Sequence, residues 1–157
     1  MPRLQPDGGY VPEQPIIVTG SRDSTLRAWS LPKKGSKHLP TPPGTTNATA
    51  PAATTNPGVG NPYFLRELKG HSQSVRALSG AGNSGSYDHT VRVWEISTGE
   101  CRWYLQGHTS KVYSVVYAPE QERCFSGSMD NCVKVWDLTK GTNLFTLEGT
   151  FHATRKS

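Results

Sequence analysis

Acidic residues, cysteines and long apolar runs are all scarce in this chain, and each shortage excludes something. Twelve Asp and Glu stand against 17 Lys and Arg, for a net charge of +5. That balance favours anionic partners, phosphorylated proteins among them, but it is spread along the sequence and too modest to indicate nucleic acid. The cysteines are Cys101, Cys124 and Cys132. An odd number, with no Cys-x-x-Cys pair and no His at ligand spacing, supports neither a disulfide framework nor a zinc site, so no metal or cofactor is expected. No apolar run approaches the roughly 20 residues of a membrane span. The opening Met1-Pro2-Arg3-Leu4-Gln5-Pro6 has no apolar signal core. The expectation is a soluble intracellular protein with no membrane partner.

What is abundant is repetition. Gly20-Ser21-Arg22-Asp23, Gly85-Ser86-Tyr87-Asp88 and Gly127-Ser128-Met129-Asp130 are each followed, six residues after the Asp, by a Trp: Trp29, Trp94 and Trp136. Gly70-His71 and Gly107-His108 precede the second and third copies, and Asp88 and Asp130 stand 42 residues apart. Runs such as Thr90-Val91-Arg92-Val93-Trp94 alternate apolar and polar residues, the period of a strand. The Asp sits in a short turn among Ser, His, Asn and Thr, which tolerate turn geometry. Gly-His, Trp-Asp and a period of about 40–45 residues form the WD40 signature of a four-stranded propeller blade. The fold class expected is all-β: a partial WD40 propeller of about three blades whose ring is not closed.

In this blade type a His, a Ser, the turn Asp and the strand Trp form a buried hydrogen-bonded set. The two complete sets expected here are His71-Ser86-Asp88-Trp94 and His108-Ser128-Asp130-Trp136. A nucleophile triad is a tempting alternative, but the pattern recurs blade by blade with a Trp in it, so the role is structural and no enzyme is expected.

Organisation along the chain is uneven. Residues 1–14 are aperiodic and expected to be disordered, and 15–148 form the repeat array. The first unit opens on Pro15-Ile16-Ile17-Val18-Thr19, the second strand of a blade. A Pro/Thr/Ala-rich stretch at about 33–62 cannot bury enough apolar surface to order itself and reads as a disordered insertion between the third and outer strands. It contains Leu39-Pro40-Thr41-Pro42, a phosphorylatable Thr-Pro. In the second unit Val75 to Ser84 is 9 residues where Val112 to Ser126 is 14. Residues 78–84 must then supply a strand end, a turn and a strand start with no apolar run, which reads as a damaged blade. Residues 149–157 are expected to be a disordered tail. The array reads as an internal piece of a larger propeller, and a product with no independent function is one alternative.

Scaffold and reading surface separate when the repeats are compared. Gly, Ser, Asp and Trp stay fixed, while the third residue of Gly-Ser-x-Asp changes (Arg22, Tyr87, Met129), as does the residue after the Val that follows Gly-His (Arg76, Tyr113). In this blade type both positions lie at one end of the ring, where two guanidiniums and two phenols suit an anion. From Ile16 to Leu138, apart from the insertion, the runs Ile17-Val18-Thr19-Gly20-Ser21-Arg22-Asp23, Ser74-Val75-Arg76, Gly85-Ser86-Tyr87-Asp88 and Val112-Tyr113-Ser114 resemble the WD40 domain of fungal F-box/WD-repeat proteins of the cell division control protein four type, substrate receptors of SCF ubiquitin ligases. The resemblance implies a phosphodegron reader of the nucleus and cytoplasm in which Arg22 and Arg76 hold the phosphate. Tyr87 and Tyr113, and more weakly Met129, line the flanking pocket. It also implies that the F-box docking the SCF adaptor, and a further phosphate-binding Arg, lie upstream of this sequence. A WD40 scaffold that only holds proteins together is the other reading.

Overall fold

The computed structural model describes residues 15–31, 63–80 and 82–149. The expectations for 1–14, for the insertion with Thr41, and for 150–157 fall outside them. Among the described residues eleven strands form three antiparallel sheets, one per repeat, with a 3-10 turn at Pro119–Gln121. Blade 1 joins β1 (Ile16–Gly20), β2 (Leu26–Ser30) and β3 (Phe64–Leu68) in that order. Blade 2 joins β4 (Val75–Ser79), β5 (Asn83–Ser86), β6 (Val91–Trp94) and β7 (Cys101–Leu105). Blade 3 joins β8 (Val112–Ala118), β9 (Arg123–Ser128), β10 (Cys132–Asp137) and β11 (Thr142–Glu148). The insertion thus leaves from β2 and returns to β3, and these pair directly from Leu26↔Leu68 to Trp29↔Phe64. Gly149 is tied to blade 3 through its N–H to the Asn131 carbonyl at 2.8 Å.

Alternation in β2 and β6 puts Leu26 and Ala28, and Val91 and Val93, into the interior with Arg27 and Arg92 between them only partly covered. The core lies between blades, in two apolar seams. One holds Leu26, Leu68, Val75 and Trp94, with Val18 and Leu78 against them. The other holds Val91, Leu105, Val112, Val115, Cys124, Trp136 and Leu138, with Trp103 and Tyr117 alongside. Close approach of sheets explains the repeated Gly. A Cβ on Gly20 would stand 2.8 Å from Val75 Cγ1, and one on Gly85 2.6 Å from Val112 Cγ1. No described helix is long and apolar enough to cross a membrane.

Blade 2 corrects the sequence reading. The shortened connection does not damage the sheet: β5 forms from Asn83-Ser84-Gly85-Ser86, all buried, and is laddered to β4 on one side and β6 on the other. A central strand covered on both faces takes its stability from those ladders and from specific polar bonds, so it needs no apolar alternation. The connection tightens instead through Gly80 (φ 49) and Gly82 (φ 91), left-handed conformations that favour glycine.

Candidate functional site

Two polar constellations meet at the end of the blades that carries the Gly-Ser-x-Asp turns. The first is buried. In blade 2 the Trp94 indole donates to Ser84 Oγ at 2.8 Å, Ser84 Oγ meets His71 Nε2 at 2.9 Å, and His71 Nδ1 meets Asp88 Oδ2 at 2.7 Å. Blade 3 repeats the chain with Trp136 to Ser126 at 2.7 Å, Ser126 to His108 at 2.8 Å and His108 to Asp130 at 2.8 Å. Burial drives the His71 pKa below its ordinary value, against the pull of Asp88. The neutral ring then donates from Nδ1 to Asp88 and accepts at Nε2 from the Ser84 hydroxyl. Burial alone would raise Asp130, but hydrogen bonds from His108 and from the backbones of Thr109 and Cys132 outweigh it and hold the carboxyl at about 2. Asp88 is lowered in the same way by Thr90, Ser72 and His71 against the effect of burial.

The serines of this set are not those expected. Ser86 and Ser128 stand two residues too late, on the same strand face but at the strand end, beyond the reach of the Trp. Each closes the turn instead. Ser86 Oγ accepts from the Asp88 N–H at 3.1 Å and donates to the Gln73 carbonyl at 2.9 Å. Ser128 Oγ does the same with Asp130 N at 3.2 Å and Ser110 O at 3.0 Å. The period of two in a strand makes the two serines alike in sequence and different in depth.

Blade 1 keeps the turn without a His. Trp29 donates to Thr19 Oγ1 at 3.0 Å, so the Trp–hydroxyl bond survives at the position of Ser84 and Ser126. Asp23 is engaged by the Thr25 hydroxyl at 2.6 Å and by Arg27 Nη2 at 2.8 Å, which together hold its carboxyl well below the usual range.

The second constellation is exposed. The Tyr87 ring lies 5.4 Å from that of Tyr113, edge to face, with Arg76 Cζ 5.2 Å and Lys111 Nζ 4.6 Å from its centre. A hydrogen bond from Arg76, then one from Tyr113, bring the Tyr87 phenol below its ordinary pKa, and the Lys111 charge acts in the same direction. The bond to Tyr87 raises Tyr113. Arg22 is exposed one blade away, and its carbonyl accepts from Ser74 Oγ at 3.2 Å. The neighbouring Val75 N–H donates to Ser21 O at 3.0 Å, so the strand bearing Arg76 is pinned to the turn bearing Arg22. Met129 is 60% exposed and joins through its N–H to the Lys111 carbonyl at 2.9 Å.

Arg76, Tyr87 and Tyr113 therefore touch, Arg22 stands across the seam between blades 1 and 2, and Met129 lies at the far side. Lys111 is the member that sequence comparison missed. It occupies the repeat position of Ser74, one residue before the Val, and both reach the preceding blade's Gly-Ser-x-Asp turn. Comparing that position across repeats as well as the one after the Val identifies it.

Comparison with known proteins places these repeats. The WD40 model, described as WD domain, G-beta repeat, matches residues 4–30, 62–95 and 99–137. WD repeat-containing protein pop2 of Schizosaccharomyces pombe is 49% identical over 116 residues, covering 72% of this chain and 15% of that protein. Cell division control protein 4 of Candida albicans is 41% identical over 121 residues, 73% of this chain and 16% of that protein. The protein of the same name in Saccharomyces cerevisiae is 49% identical over 69 residues, 42% of this chain and 9% of that protein. The chain thus spans a sixth or less of the length of these relatives.

Proposed function

The chain belongs to the WD40 repeat family, and from that premise we propose that it is a protein-binding module whose Gly-Ser-x-Asp end reads a phosphorylated segment of its partner. One observation carries this reading. The repeat positions that bring Tyr87 against Tyr113 across the seam between blades 2 and 3 are occupied by Arg22 and Arg76 across the seam between blades 1 and 2. Neither guanidinium has a carboxylate partner among the described residues. Two guanidiniums at adjoining positions repel unless an anion lies between them, and their planar forks match phosphate oxygens. Tyr87 and Tyr113 supply hydrogen bonds and flat apolar surface for the residues beside the phosphate, and Lys111 adds a third positive charge. The resemblance to SCF substrate receptors extends the reading to phosphodegrons, with ubiquitin-dependent turnover of the bound protein as the outcome. The adaptor would dock through an F-box elsewhere in the full receptor.

The test is a titration of the full chain with a Thr-Pro peptide in phosphorylated and unphosphorylated forms. The phosphorylated peptide binds more tightly, and Arg22→Ala or Arg76→Ala removes most of the difference. Equal affinity for both peptides would leave a WD40 surface that holds proteins together without reading phosphate.

A further inference from the structure

One repeated position differs between the two seams. Val18, Asn83 and Phe125 each stand one residue before the hydroxyl that receives the Trp indole, namely Thr19, Ser84 and Ser126. Val18 packs into the apolar seam between blades 1 and 2. Asn83 brings an amide to the same place beside blade 3, and it is 1% exposed. Its Nδ2 donates to the Ser79 carbonyl at 3.4 Å, which turns the amide so that Oδ1 is the atom left over. No group among the described residues donates to that oxygen. A buried carbonyl oxygen without a donor is unfavourable, and native proteins keep few of them.

Asn83 lines a crevice of about 120 Å³ between blades 2 and 3, at the end of the strands remote from Arg22 and Arg76. The crevice lies where β4 and β5, of 5 and 4 residues, stop short beside β8 and β9, of 7 and 6. Trp103 and Tyr117 line it, with Glu95, Glu122 and Arg102. Trp103 is fixed in place by its indole N–H bond to the Leu138 carbonyl at 2.6 Å. Glu95, Glu122 and Arg102 are exposed, and two carboxylates outnumber one guanidinium there.

We infer that this crevice takes a guanidinium group, the side chain of an arginine presented by a protein partner. One N–H of the fork donates to Asn83 Oδ1, the plane lies along Trp103 and Tyr117, and Glu95 and Glu122 balance the charge. A guanidinium suits such a half-buried aromatic slot better than an ammonium because it is planar and more weakly hydrated. Trp103 and Tyr117 also pack on the core and Glu95 also accepts from Ser97, but a water at Asn83 would leave the excess of carboxylate over guanidinium at the crevice unbalanced.

The experiment is a titration of the full chain with N-acetyl-arginine amide, followed by the Asn83 side-chain amide signal in NMR and by indole fluorescence. Both change saturably. The citrulline counterpart, of the same shape without the charge, binds about tenfold more weakly. Asn83→Val lowers affinity about tenfold while melting no lower than the parent, since Val18 fills the equivalent place. Glu122→Gln, in an exposed turn, weakens binding severalfold, and Arg22→Ala leaves it unchanged, which separates this site from the phosphate-reading end. Absence of saturable change, equal binding of the citrulline compound, or unaltered affinity in Asn83→Val would overturn the inference and leave the crevice to water.

Discussion

Blades 1 and 3 hold the same turn with different parts. In blade 3 one unbroken chain of bonds runs from Trp136 through Ser126 and His108 to Asp130, and its hydroxyl and imidazole are buried. In blade 1 that chain is cut in two: Trp29 still meets a hydroxyl on Thr19, while Asp23 is engaged separately by Thr25 and Arg27 near the surface. The difference shows that the Trp–hydroxyl bond and the anchoring of the Asp are separable tasks, which the His merely joins. It also shows where the joining matters. A buried chain is costly when incomplete, whereas a solvent-exposed one can lose a member to water.

The largest effect should come from the hydroxyl at the middle of the chain. Ser126→Ala leaves the Trp136 N–H and His108 Nε2 both without a partner in the interior, at a cost of about 3 kcal/mol. Ser84→Ala does the same in blade 2. Thr19→Ala, at a bond that water can replace, costs about 1 kcal/mol or less. Ser128→Ala should cost less than Ser126→Ala because Ser128 only closes the turn. Urea denaturation midpoints check the ranking, and equal losses for Ser126→Ala and Ser128→Ala would return Ser128 to the set.

Acid should act in two stages, the first in blade 2 and the second in blades 2 and 3. His71 has a lowered pKa when folded, so the unfolded chain takes up its proton first, and stability present above about 6.5 declines as pH falls below it. Asp88 and Asp130 also have lowered values. Their contribution is present above about 4 and is lost as pH falls further, down to about 2 for Asp130. Stability curves between pH 8 and 2 should show both declines. A flat line from pH 7 to 5 would mean that His71 binds its proton equally well folded and unfolded, and a rise toward pH 5 that it is charged in the fold.

The smallest effect is conformational. Ser24, His89 and Asn131 follow the Asp in the three turns and all adopt positive φ, at 72°, 70° and 63°. Asn tolerates that region and His does so less well, so His89→Gly should gain up to about 1 kcal/mol while Asn131→Gly gains little. Thermal melts of the two variants compare them directly.

Much of this was legible in the repeats. Fixed Gly, Ser, Asp and Trp located the three Gly-Ser-x-Asp turns and most strands, and the chain order put the insertion between β2 and β3. Ser84 and Ser126 were not singled out because a strand period of two offers two serines on one face, and nothing in their spacing says which lies deep enough to meet the indole. β5 is not legible in the sequence because Asn-Ser-Gly-Ser has no apolar pattern, its stability residing in ladders to both neighbours. Lys111 does not stand out in the sequence because its counterpart, Ser74, is a different residue type that reaches the neighbouring turn by a hydrogen bond rather than by charge. Asn83 carries no motif at all, and its significance appears only when the seams are laid side by side.

In the proposed function Arg22 and Arg76, one on each side of a seam, hold a single phosphate. A double-mutant cycle on phosphopeptide affinity tests it most directly, using Arg22→Ala, Arg76→Ala and the pair. If both guanidiniums grip one phosphate, each single variant loses about tenfold or more, and the double variant loses clearly less than the product, with a coupling of about 1 kcal/mol or more. Strictly additive losses, or single variants that bind as the parent does, would mean that the two guanidiniums do not share a phosphate.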